Sequence, residues 1–264
     1  MTWSIVTHDP ATGAFAVAVA TCAFAVGASC PFVRAGVGAV STQSMTNRYL
    51  GPAILDGFSR GLDPAAAIES ALAGDAGSGL RQVHAVDRHG RTAAWTGRNC
   101  VEWCGSVAGT SVAGGGVSVA GNMLAGEAVI AATLAAFQAS GPREGGAKAA
   151  PNAATTEAAA AAIPLPERLM LAMLAGQEAG GDRRGRQSAA MRLVTTEDFP
   201  DLDLRVDDHP DPLAELGRLL GLWREQAAPR LALAPRRDNP SGFTDLDAIE
   251  AGWRARGLDL RFRR

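Results

Sequence analysis

The chain has 264 residues, 47% of them hydrophobic and 20% charged, with a formal net charge of -2. That length and apolar content allow a large buried core, and the near-neutral balance gives no broad electrostatic basis for binding nucleic acid or an anionic membrane. The 4 cysteines lack CxxC spacing and are too few for a disulfide scaffold. The apolar run from Phe15 to Val26 has no basic leader, and no stretch is apolar enough to span a bilayer, so a cytoplasmic protein is expected.

Ser4 to Thr7 and Phe15 to Thr21 are rich in β-branched and apolar residues, with Asp9-Pro10 and Gly13 between them. This pattern predicts a β-hairpin. Thr2 stands at its head. Removal of Met1, which a small second residue permits, would place a hydroxyl and a free α-amine on one residue. A threonine hydroxyl is a weak nucleophile at neutral pH, and an α-amine of pKa about 7.7 to 8.0 is well placed to take its proton. Chemistry therefore makes Thr2 a candidate catalyst, although many chains begin Met-Thr without using it.

Within Pro31 to Ser41, the Gly-spaced apolar run Val33 to Val40 suits a strand closely approached by another backbone. The polar cluster that follows offers Thr42, Gln43 and Asn47 as groups able to hold a substrate carbonyl or amide, or simply as an ordinary loop. Helical spacing covers Gly51 to Arg60 and Pro64 to Ala73, the second opened by an Asp63-Pro64 cap. Arg81 to Val86 and Thr92 to Thr96 predict a second hairpin across Asp87 to Gly90. His84 and His89 fall here without a carboxylate or cysteine cluster at ligand spacing, so no metal is expected.

Gly105 to Val119 is rich in glycine, valine and serine and closes on Gly121-Asn122-Met123-Leu124. Gly114 to Gly116 lacks a Walker lysine and any GxGxxG pattern, so no phosphate cradle and no cofactor are expected. Asn122, ahead of a helix over Glu127 to Ala139, either presents its amide to a developing oxyanion or caps that helix. Gly141 to Ala162 is rich in Ala, Gly and Thr with little periodicity and reads as a surface insertion.

A helix over Pro164 to Gly176 leads into Gly180 to Ala190, a glycine-flexed loop directly before the strand Ala189 to Val194. Arginine holds carboxylates bidentately, so Arg183 and Arg186, with Asp182, Gln187 and Ser188, are candidate substrate-binding groups for an anionic ligand. Leu202 to Val206 predicts a strand. Asp207 to Pro212 then flanks the start of an amphipathic helix over Leu213 to Gln226, where the helix dipole favours negative charge. Pro229 to Arg264 is a basic extension with a short helix over Leu246 to Arg256, suited to a subunit contact.

The hairpin TWSIVTHDPATGAFAVAVAT, the strand AGVGAVSTQSMTN, GNML at Gly121 to Leu124, GGDRRGRQSAA at Gly180 to Ala190 and DLRVDDHPDP at Asp203 to Pro212 together resemble the DUF1028 family. That family is a group without known function assigned to the Ntn-hydrolase fold. The resemblance spans Thr2 to Gln226 in order. It implies an α+β chain built as a four-layer αββα sandwich, two antiparallel sheets flanked by helices; combined with the composition, this gives a domain over residues 1–226 carrying the insertion at 141–162, and a C-terminal extension over 227–264. It also implies that the nucleophile is the residue at the head of the first strand, Thr2. The chain departs from the family pattern at Thr21-Cys22-Ala23-Phe24, in the length of the insertion and in the tail. The resemblance supplies no substrate.

Two functions are thus in view. The first is an N-terminal-nucleophile amidohydrolase that cleaves a C–N amide or imide bond in a small carboxylated metabolite. Thr2 attacks, its α-amine relays the proton, Asn122 holds the oxyanion and water resolves the ester. The second is a catalytically silent protein that binds a small metabolite in the same cleft. A third, Cys22 acting with a histidine base, has no histidine tied to it by sequence. Beyond the small-molecule substrate, the expected partner is a second copy in a homo-oligomer.

Overall fold

The computed structural model describes residues 2–110, 114–141 and 163–260. The first hairpin forms from β1 (Thr2–Asp9) and β2 (Ala14–Thr21), antiparallel from Trp3 opposite Ala20 to Asp9 opposite Ala14. Its turn works as the side chains dictate. The Asp9 carboxylate accepts from Ala11 N at 3.0 Å and from the Thr12 hydroxyl at 2.9 Å, and Gly13 takes the left-handed φ of 71° that glycine tolerates.

The run expected as one strand is two. β3 (Pro31–Arg34) and β4 (Gly38–Ser44) form a tight hairpin whose turn holds Gly36 at φ 67°. Apolar neighbours on both sides of Gly36 hide that turn, because both strands are half or fully buried. α1 (Leu50–Ser59) and α2 (Pro64–Leu72) follow, and the Asp63 carboxylate caps α2 by accepting from Ala66 N at 2.9 Å. β5 (Arg81–Asp87) and β6 (Thr92–Thr96) make the second expected hairpin, its turn organised by Asp87, which accepts from His89 N and Arg91 N.

β7 (Gly105–Thr110), β8 (Gly116–Asn122), α3 (Ala128–Ala139), α4 (Leu165–Glu178), β9 (Ser188–Val194) and β10 (Leu202–Val206) come next. They are followed by α5 (Pro212–Leu222), α6 (Ala228–Leu231) and α7 (Leu246–Ala255). The helix expected to run to Gln226 leaves α-helical geometry after Leu222, and Trp223–Ala227 forms a π-helical turn. The chain divides into a compact unit ending at Leu216 and a second over Gly217–Arg264, in which the Arg230 guanidinium lies 5.4 Å from the Trp253 ring centre. The expectation of a surface insertion falls almost wholly on residues outside those described.

The first unit is mixed α+β with two antiparallel sheets, one of order β10-β9-β2-β1-β8-β7 and one of order β3-β4-β5-β6. Valines and phenylalanine join them: Val6, Phe15, Val17 and Val194 of the larger sheet meet Ala39 and Val86 of the smaller. On its other face the smaller sheet packs Val40, Val83 and Ala85 against Leu50, Ile54 and Phe58 of α1 and Ile68 of α2. α3 and α4 pack on each other and contact β1 and strands beside it. β1 and β2 are thus covered on both faces, which is why nearly every residue of both strands is buried.

One close approach sets a stability test. A Cβ on Gly116, at the start of β8, would collide with the backbone oxygen of Gly90 and lie 2.9 Å from Val86 Cγ2. A turn carbonyl has no rotamer to change. Gly116→Ala is expected to destabilise the protein by about 1 to 3 kcal/mol, read as a lower urea midpoint with an unchanged slope. An unchanged midpoint would show that the Asp87–Gly90 turn gives way freely.

Candidate active site at the head of β1

Alternation along β1 sends Thr2, Ser4 and Val6 into the space between the sheets. Thr2 is register-paired with Asn122 of β8 on one side, and on the other its Oγ1 lies 3.3 Å from Thr21 Oγ1 at the end of β2. Thr2 is 6% exposed. Non-glycine residues with positive φ cluster at the same ends of the strands: Ser44 (70°) closes β4, and Met123 (52°) and Ala25 (54°) follow β8 and β2. Such left-handed positions cost free energy in residues with a Cβ and gather where surrounding structure imposes a geometry.

Behind Thr2 runs a buried polar chain that crosses between the sheets. Ser4 Oγ donates to Gln43 Oε1 at 2.8 Å and lies 2.7 Å from His84 Nε2, while His84 Nδ1 lies 3.0 Å from Ser118 Oγ. Since the single Ser4 proton goes to Gln43, Nε2 must carry the imidazole proton and Nδ1 must accept from Ser118. Gln43 Nε2 donates onward to Gln82 Oε1 at 2.8 Å, and Asn122 Nδ2 donates to the same oxygen at 2.9 Å. Complete burial pushes the His84 pKa down to about 3, so the chain carries no charge at neutral pH.

The Gly180–Ser188 loop is stitched to the strand ends on both sides of β1. Gln187 N donates to Thr21 O at 2.9 Å, and Ala125 N donates to Gly181 O at 3.0 Å. The buried Asp182 carboxylate accepts from Cys22 N at 2.7 Å and from Arg184 N at 2.8 Å. Asp182 is thereby a pin between loop and strand. Ser188 is likewise committed, its hydroxyl donating to Ala23 O and accepting from Val26 N. Gln187 donates to Asp208 at 3.2 Å, and Arg186 pairs with Asp211 at 3.3 Å on the surface. Arg183 is exposed, and its guanidinium has no partner among the described residues.

The other anticipated groups lie elsewhere or deeper. Thr42 donates to Asn47 O at 3.2 Å, and the Asn47 amide donates to Asp75 at 2.8 Å, fastening the loop after β4 to the loop before β5. Asp75 also pairs with Arg81 at 2.9 Å, and that guanidinium, with the Asn47 amide, holds its carboxyl well below the usual range. Gln43 is wholly buried. Ser4, Thr21, Gln82, His84 and Ser118 were not among the anticipated site residues. Their signal was polar residues on one face of strands otherwise largely apolar: Thr2 and Ser4, and Gln82 and His84, two apart, and Ser118 and Asn122, four apart.

Cys22 is partly buried, its Sγ 3.7 Å from Arg184 O, and His84 and His209 are both engaged elsewhere, His209 Nδ1 accepting from Asp211 N. Among the described residues no group of three or more His, Cys, Asp or Glu could hold a metal ion. Cavities of about 820 Å³ beside Ile68, Leu72 and Trp95, and of about 480 Å³ beside Trp95, Thr96 and Arg98, are lined by neither Thr2 nor Asn122.

The model of a family of unknown function, DUF1028, matches residues 2–216. The chain belongs to the DUF1028 family. The match ends where the first compact unit ends, so the DUF1028 domain is that unit. Its structure is similar to the crystal structure of the DUF1028 protein SPO2555 from Silicibacter pomeroyi, with a TM-score of 0.75 and 28% identity over 92% of this chain and 96% of that one. No curated protein matches the chain. Among the described residues, no helix is long and apolar enough to cross a membrane.

Proposed function

We propose that this DUF1028 protein is an N-terminal-nucleophile amidohydrolase on a four-layer αββα sandwich, cleaving a C–N amide or imide bond in a small carboxylated metabolite in the cytoplasm. One observation carries the reading: the Thr2 hydroxyl sits at the head of a central strand, between the sheets, 3.3 Å from Thr21 Oγ1 and beside Asn122. Once Met1 is removed, the α-amine takes the Thr2 proton as Oγ1 bonds to the substrate carbonyl carbon. The resulting oxyanion accepts from Asn122. As the C–N bond breaks, the protonated α-amine passes its proton to the departing amine. Water then hydrolyses the Thr2 ester, releasing the acid and restoring the hydroxyl. The near-complete burial of Thr2 favours a second reading, a silent metabolite-binding protein.

Intact-mass measurement and Thr2→Ala separate the two. The first reading requires a wild-type mass short by one methionine, and a Thr2→Ala protein that folds yet loses turnover of an amide panel that the wild type cleaves. Thr2→Ser should keep part of the rate. A retained Met1, or equal turnover by Thr2→Ala, hands the site to the binding reading.

Arg183 is the cation this proposal assigns to the substrate carboxylate. A charge-assisted pair contributes about 1.5 to 3 kcal/mol. Arg183→Ala is therefore expected to weaken binding of small N-acyl amino acids roughly tenfold or more by that same energy scale, in calorimetric titrations. Arg186→Ala should weaken it less, because that guanidinium already lies on Asp211. Equal affinity in wild type and Arg183→Ala would return the loop to a purely structural role.

A further inference from the structure

Backbone carbonyl oxygens accept hydrogen bonds and never donate, so a side-chain amide that touches one must do so through its nitrogen. Gln82 meets two of them, Gly121 O at 2.8 Å and Gly105 O at 3.2 Å, and Gln43 meets Ala120 O at 3.1 Å. Both amides are thereby fixed in one orientation. The Gln82 nitrogen also donates to Thr96 Oγ1 at 3.0 Å, and its oxygen is turned toward Gln43 and Asn122. Facing an oxygen, Asn122 must present its nitrogen rather than its carbonyl. One of its N–H groups goes to Gln82 Oε1, and among the described residues the other has no hydrogen-bond partner. Gln43 reaches the β1 side of the same place, with Nε2 3.5 Å from Thr2 O.

We infer that Gln82, oriented by the Gly121 and Gly105 carbonyls and by Gln43, is a positioning residue that fixes Asn122 as a hydrogen-bond donor beside Thr2. The inference rests on the reading of Thr2 as nucleophile and names what sets its oxyanion site. Were Gln82 replaced by an apolar side chain, Asn122 would lose the acceptor that holds its amide in place, and the donor aimed at the oxyanion would rotate among several directions. Removing one such donor from an acyl-transfer site lowers rates by roughly 10² to 10³, and misorienting it costs part of that.

The test uses a β-lactone, which needs no known substrate. Thr2 Oγ1 bonds to the lactone carbonyl carbon, the ring C–O bond breaks, and the proton taken by the α-amine passes to the ring oxygen. The protein gains the mass of the whole lactone as a Thr2 ester. Gln82→Met is expected to slow this acylation at least tenfold under conditions where it is fully folded. Gln82→Glu, whose carboxyl burial keeps protonated, retains an acceptor for Asn122 and should recover much of the rate. Asp56→Ala removes only a surface ion pair with Arg34 and should label as the wild type does. A second readout is independent of Thr2: the side-chain amide protons of Asn122, assigned with Asn122→Asp, should show one proton protected from exchange in the wild type and neither in Gln82→Met. Equal labelling of wild type and Gln82→Met, or an Asn122 amide that Gln82→Met leaves unchanged, overturns the inference. An unlabelled wild type instead removes the Thr2 reading, and the amide protons alone then decide what Gln82 does.

Discussion

A protein with one alanine inserted ahead of Thr2 is expected to fold as the wild type does and to lose between about 10² and 10⁴ of its rate on any amide it cleaves, the range a positioned general base contributes. After Met1 is removed from that variant, the Thr2 hydroxyl remains but its nitrogen is a peptide amide, which cannot take a proton. The register of β1 should hold, because Trp3, Ile5 and Val6 are buried beyond the insertion point and fix the strand. Thr2→Ala removes the oxygen and keeps an amine, so the two variants dissect nucleophile from base. Wild-type turnover by the extended protein would show that the proton leaves by another route.

The second large effect is loss of stability in acid. His84 is held neutral by burial, its pKa falling from 6.5 to about 3. The unfolded chain therefore binds that proton first. Stability is full above about pH 6.5 and falls as pH drops toward 3, by roughly 1.4 kcal/mol per unit and on the order of 5 kcal/mol in all. His8, whose pKa is also lowered chiefly by burial, acts in the same direction. The depressed carboxyl of Asp75 acts in the same direction over a lower range: its contribution is intact above the ordinary carboxylate pKa and is lost only below it. Urea titrations at pH 7 and pH 4.5 isolate the imidazole share. His84→Gln should be less stable at pH 7, since the Ser4 and Ser118 contacts are disturbed, yet show a shallower decline on acidification. A wild type equally stable at both values would mean that the folded state does not lower the His84 pKa.

Both hairpins flanked by polar turn residues were legible in the sequence, because Asp9 with Gly13, and Asp87 with Gly90, announce where the chain reverses. The β3–β4 reversal was not. Gly36 sits among Ala35, Val37 and Gly38, and a turn whose neighbours are apolar leaves no mark in a hydropathy pattern. At the candidate site, the sequence nominated Thr2, Asn122 and the Gly180–Ser188 loop without placing them together; the register of β1 with β2 and β8 and the backbone bonds of the loop bring these segments near one another. Which loop side chain is uncommitted could not be read, since Asp182, Arg186 and Ser188 are engaged by Cys22, Asp211 and Ala23, partners distant in sequence. The glutamine pair was hidden for a related reason: Gln43 and Gln82 acquire meaning only when two sheets face each other.

The position of β1 also orders events in time. Its neighbour β8 is far downstream, Thr2 pairing with Asn122, and β2 pairs on its outer side with β9, which begins at Ser188. At about 5 to 20 residues per second of synthesis, the 120 residues separating Thr2 from Asn122 take on the order of 6 to 24 s to emerge. Throughout that interval one edge of β1 has no strand to pair with. On the proposal that Thr2 is the nucleophile, trimming of what precedes Thr2 competes with the arrival of β8, and that race would fix how much of each batch carries a free threonine.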